Sequence, residues 1–135
     1  MDGASKLEFN KKKKTDIEMK LTIGELEKDL LKRIERLEAF EERLGVSIQN
    51  LSVRIDSERK WLTIFYELYS AIGTTIKEYI TVECILYDED GLIIEEAHSI
   101  IETDKFFGFE VIKEEFREYG IAERVSKIRV YPKKF

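Results

Sequence analysis

The stretch from Ile80 to Ile101, ITVECILYDEDGLIIEEAHSII, decides the fold. In its first arm Ile80, Val82, Cys84 and Leu86 alternate with Thr81, Glu83, Ile85 and Tyr87. Successive side chains of an extended chain point to opposite faces, so this period predicts a strand with one buried face. The second arm, LIIEEAHSII, is another run of strand-forming residues. Between them stand Asp88, Glu89, Asp90 and Gly91. An EF-hand calcium loop with Gly91 at its sixth position would have Leu86 at the first and Ala97 at the twelfth. Both required carboxylates are then missing. Asp-Gly between two alternating runs is instead a hairpin signal, with Gly91 supplying the positive φ that closes the turn.

The same pattern continues outward from the hairpin. NLSVRID places Leu51, Val53 and Ile55 on one side, KWLTIFYELYS is a long aromatic run, and FFGFEVIKE and KIRVYP follow later. These runs are rich in Val, Ile, Thr, Tyr and Phe and are broken by turn residues at short intervals. Residues 46–135 therefore predict a mainly β body, an antiparallel β-sandwich, with Val53, Val82, Cys84, Leu86 and Phe109 in its core. One short helical turn is expected at KEEFREYG, where Ile112, Phe116 and Tyr119 share a helical face and Gly120 can end it.

The segment CILYDEDGLII resembles the hairpin of FxLYD-type domains, which are small immunoglobulin-like β-sandwiches. Leu86, Tyr87 and Asp88 stand at the motif positions, and Cys84 stands where that family has an aromatic residue. The resemblance would extend over residues 46–135, with only the hairpin motif-like. It implies an immunoglobulin-like structural or interaction domain and brings no catalytic residues with it.

Ahead of this body, residues 21–45 predict one long amphipathic helix. Thr22 and Glu25 have capping-box spacing, Leu21 and Leu26 flank the cap, and Gly45 sits where a left-handed C-terminal residue is wanted. Ile23, Leu26, Leu30, Ile34, Leu37, Phe40 and Leu44 form an apolar stripe with a seven-residue beat, interrupted by Arg33. Such a stripe cannot stay in water, and its heptad beat points to coiled-coil-like self-association. A homo-oligomer, with a dimer favoured, or docking to another protein is expected. The opposite face, with Glu27, Asp29, Lys32, Glu35, Arg36, Glu38 and Arg43, is read as solvated. Residues 1–20, with Lys11, Lys12, Lys13 and Lys14, read as a flexible basic tail.

Composition narrows the function classes. The 135 residues are 43% hydrophobic and 38% charged, with a net charge of −5, which speaks against a general nucleic-acid binder. No apolar run reaches membrane-spanning length and no signal-peptide pattern opens the chain, so a cytoplasmic protein without membrane contact is expected. Cys84 is the single cysteine and reads as a small buried hydrophobe. His98, the single histidine, lacks the spaced partners of a metal site and reads as a partly exposed strand residue. The glycines are isolated, so there is no phosphate-cradling loop. No catalytic residue, cofactor or metal site is assigned.

In DKFFGFEV, alternation sends Phe107 and Phe109 to the core side and Phe106 to the other. Three clustered aromatics exceed what one strand face buries unless Gly108 bends it. Phe106 and Phe107 are therefore the candidate binding patch. The expected function is a non-enzymatic interaction or scaffold module that self-associates through its N-terminal helix. The alternative is a small-ligand or divalent-metal-binding domain, in one form a carboxylate-dependent enzyme, that uses surface acids.

Overall fold

The computed structural model describes residues 21–135. The expected basic tail, residues 1–20, lies outside the described residues. The chain runs α1 (Ile23–Lys32), β1 (Ile34–Arg36), α2 (Glu38–Leu44), β2 (Val46–Ile55), β3 (Leu62–Ser70), β4 (Ile80–Tyr87) and β5 (Ile93–Ile101). A short 3-10 turn (Thr103–Lys105) leads to β6 (Phe109–Phe116), α3 (Ile121–Arg124) and β7 (Lys127–Lys134). The fold is mainly β, in two sheets ordered β1-β7-β4-β5 and β2-β3-β6. Among the described residues only β1 and β7 pair in parallel, and every other strand pair is antiparallel.

Period-two patterning builds one core between the sheets. Ile80, Val82, Cys84 and Leu86 of β4 and Leu62, Ile64, Tyr66 and Leu68 of β3 belong to a single buried cluster with Val53. The hairpin forms where Asp88 to Gly91 require it. The Gly91 amide donates to the Asp88 carbonyl at 3.0 Å, and the Asp88 amide donates to the Leu92 carbonyl at 2.9 Å. The Asp88 carboxylate accepts from the Asp90 and Leu92 amides at 2.9 and 3.0 Å. Gly91 has φ +81°, the left-handed value that glycine adopts without a Cβ penalty.

The strand order departs from the immunoglobulin expectation. A constant-type immunoglobulin sandwich joins its first, second, fifth and fourth strands in one sheet. Here the third strand lies between the second and the sixth, and the first neighbours the seventh. Strands adjacent in sequence pair across short connections, which sets β2–β3 and β4–β5 side by side.

The single long helix is corrected to two helices with a strand between them. Thr22 caps α1, accepting from the Glu25 amide at 3.1 Å, and Gly45 closes α2 with φ +69°. Both ends therefore lie where the capping signals put them, but the middle does not stay helical. At Arg33 the chain leaves the helix, and Ile34, Glu35 and Arg36 pair with Ile128, Arg129 and Val130 of β7. Pairing with a ready sheet edge outweighs a helix propensity worth only tenths of a kcal/mol per residue (about 0.7 at most).

The DKFFGFEV parity is corrected as well. Phe106 is 3% exposed and belongs to the core, whereas Phe107 is 83% and Phe109 52% exposed. Gly108, at φ +115°, turns the chain so that strict alternation through it fails. Phe109 instead stacks outside on Tyr69, with ring centroids 5.3 Å apart. KEEFREYG is also not helical, because β6 runs on to Phe116. Ile112 and Phe116, four residues apart, share a face of a strand as readily as of a helix, and both are buried. Gly120 begins α3, as its N-cap with φ +75°, and does not end a helix.

Candidate functional site

The apolar stripe proposed for self-association is directed into the chain itself. Leu30 and Leu44 are buried in the core, and Ile23, Leu26 and Ile34 pack against it. Leu37 is half-buried. Phe40 is more exposed and meets the Tyr131 ring edge-on at 5.7 Å. The face read as solvated also has structural duties. Glu27 accepts from the Ile55 amide of β2 at 2.9 Å. Arg36 donates twice to Glu41, at 2.8 and 3.1 Å, and Glu41 also accepts from the Ile48 amide at 3.0 Å. Glu41 is buried, and this three-way contact clamps α2, β1 and β2 together.

Of the candidate patch, Phe107 is at the surface and Phe106 is not. A larger feature lies nearby on the outer face of the three-stranded sheet. Because Leu62, Ile64, Tyr66 and Leu68 face inward, Trp61, Thr63, Phe65, Glu67 and Tyr69 must face outward, and each is half-buried. Side chains four residues apart on a strand are separated by roughly 13 Å, so Trp61, Phe65 and Tyr69 form an evenly spaced aromatic row. The register completes the surface. Arg54, Thr63 and Glu115 share one row across β2, β3 and β6, and Ser52, Phe65 and Lys113 share the next. Glu67 and Val111 share another row, and Tyr69 and Phe109 the last.

The part of this surface from Trp61 to Glu67 lines an open groove of about 810 Å³, to which Glu27 of α1 also contributes. The Arg59 guanidinium lies 4.8 Å over the Trp61 ring, and that of Arg117 lies 5.7 Å from it. Arg117 is also paired with Glu115 at 2.7 Å. The β2 register shifts between Gln49 and Ser52, and Asn50 there has φ +54°. That bulge aims Asn50 at Glu67, which it meets in a short hydrogen bond. The Tyr69 hydroxyl donates to the same carboxylate at 2.9 Å, and this bond holds the phenol above its ordinary pKa.

A second polar cluster lies inside. Glu114 of β6 is 3% exposed. Its carboxylate accepts from the Tyr66 hydroxyl at 2.9 Å and from the Ser99 hydroxyl at 3.1 Å. It thereby joins β3, β5 and β6, tying the β5 edge of one sheet to the β6 edge of the other. Burial pushes the Glu114 carboxyl up, against the pull of those two donors. Burial, reinforced by the Glu114 charge, also raises the Tyr66 phenol and the Cys84 thiol. A protonated, buried thiol is a poor nucleophile, so the cluster is built for cohesion. On β4, the buried Thr81 hydroxyl has no hydrogen-bond partner among the described residues.

His98 is exposed on β5, across from Glu83 of β4. Among the described residues, no group of three or more His, Cys, Asp or Glu side chains is placed to hold a metal ion. No helix of the described residues is long and apolar enough to cross a membrane.

The groove was only partly visible in the sequence. KWLTIFYELYS is recognisable as an aromatic strand. The signal that separates Trp61, Phe65 and Tyr69 from the core residues is the strict alternation with Leu62, Ile64 and Leu68.

No family model and no curated protein sequence matches the chain. Among solved structures it is similar to the Campylobacter jejuni protein cj0090. That likeness has a TM-score of 0.46 and 14% identity, and covers 76% of this chain and 98% of that one.

Proposed function

We propose that this chain is a non-enzymatic interaction module: a β-sandwich that binds a partner protein through the outer face of its three-stranded sheet. The observation that carries the reading is the outward aromatic row Trp61, Phe65 and Tyr69, whose first two members line an open groove. Aromatic side chains present a large contact area at low cost in conformational entropy, and they anchor protein interfaces. The likeness of Leu86, Tyr87 and Asp88 to FxLYD-type hairpins is compatible with an interaction domain and supplies no site residue. The dimer expected from the helix stripe is not part of the proposal, because that stripe is engaged by the chain's own core.

A photo-crosslinking amino acid at Thr63, in the floor of the groove, should trap a discrete protein in cells. The same group at Glu96, exposed on β5 of the other sheet, should not. Equal labelling from both positions, or none from Thr63, refutes the reading.

A further inference from the structure

The charges around the groove are unevenly engaged. Its acids are occupied from within the chain. Glu27 accepts from the Ile55 amide, Asp56 from the Arg59 amide, Glu67 from Tyr69 and Asn50, and Glu115 from Arg117. Two of its arginines are not. Among the described residues, Arg54 and Arg59 take part in no ion pair and neither guanidinium donates a side-chain hydrogen bond. Arg59 is nevertheless oriented, because its guanidinium lies over Trp61. A planar guanidinium resting on an aromatic ring keeps its edge donors available and is suited to bidentate binding of a carboxylate.

The apolar anchor stands at a matching distance. Arg54 is aligned with Thr63, one row from Phe65. Two positions along a strand are about 6.6 Å apart, which is also the spacing of side chains i and i+2 on one face of an extended peptide.

We infer that the groove takes an extended peptide segment of a partner protein that carries one carboxylate next to an apolar anchor. A carboxylate of that segment is held by Arg54 and Arg59, and an apolar or aromatic side chain two residues away rests on Phe65. This inference rests on the interaction-module reading. A single-stranded nucleic acid would also stack on aromatics, but its backbone needs a continuous cationic track. Here the cations are few, Glu67 and Glu115 lie among them, and the whole chain carries −5.

The test is selection from a phage-displayed library of random peptides of about twelve residues, long enough to lie along a strand, against the full chain. Enriched peptides should carry Asp or Glu two residues from an aromatic or branched apolar residue. A synthetic peptide of that sequence should change the fluorescence of Trp61, the single tryptophan. Its affinity should fall roughly tenfold in the double variant R54A/R59A, as expected for loss of charge-assisted hydrogen bonds. Both arginines are exposed, so the variant should melt at the temperature of the unmodified protein.

Enriched peptides that lack acids but lose binding in Phe65→Ser overturn the acidic assignment and leave the module reading standing. No enrichment sensitive to Phe65→Ser overturns both. An oligothymidine probe that binds at Trp61 more tightly than the selected peptide overturns the assignment to a peptide.

Discussion

Replacing Leu30 by alanine tests whether α1 is a docked part of the body. Leu30 is 1% exposed and belongs to the core cluster. Removing its isobutyl group forfeits the transfer free energy and leaves a cavity, a change that costs about 2–5 kcal/mol in well-packed sites. Helix α1 has only ten residues and lies at the edge of the body, so it can partly close over the gap. The expected loss is therefore near the middle, about 3 kcal/mol. For a body of this size that lowers the melting temperature by roughly 10–15 °C. Urea unfolding followed by Trp61 fluorescence and circular dichroism, at two protein concentrations, measures it. Leu31, exposed at the next position, is the control, and Leu31→Ala should stay within about 0.5 kcal/mol. A loss below about 1 kcal/mol for Leu30→Ala would refute docking within the chain. So would a midpoint that moves with protein concentration, because that is the signature of stability borrowed from association.

Glu41→Ala should cost about 1–3 kcal/mol by chemical denaturation, because it leaves the buried Ile48 amide unpaired while the half-buried Arg36 can turn to water; a near-neutral result would show that the clamp on α2 adds nothing. Phe106→Ala should cost about 3–5 kcal/mol, whereas Phe107→Ala should stay within about 0.5 kcal/mol, and the reverse order in thermal melts would reinstate the parity expected from alternation. Gly91→Val should cost about 1–3 kcal/mol because a β-branched residue resists φ +81°, while Glu89→Gln should be neutral. The Glu114 carboxyl is raised in the folded state, so its contribution is fully present below the unfolded value of about 4.3 and fades as the pH rises through the folded value. Glu114→Gln should therefore gain stability relative to the unmodified protein as the pH rises above the ordinary carboxyl value of about 4.3; a difference in denaturation free energy that does not change with pH would refute it.

Local chemistry in the sequence already specified the strands and their turn. Alternation along Ile80–Tyr87 needs only the period of the extended chain, and the Asp88–Gly91 turn needs only a side chain that bonds its own backbone and a residue free to adopt positive φ. The caps at Thr22 and Gly45 are equally local. What lay between those caps was decided by tertiary structure. Helix and strand differ there by tenths of a kcal/mol per residue, and the β7 edge that captures Ile34–Arg36 lies more than ninety residues away in the chain. The same holds for Phe106 and Phe109, since which of them is buried depends on the turn at Gly108 and on Tyr69 across the sheet. The groove combines both kinds of information. Its aromatic row is set by alternation along β3, but only the pairing of β2, β3 and β6 brings Arg54, Phe65 and Glu115 onto one surface. Sequence distance carries no record of cross-strand register, so that surface could be read only from the folded chain.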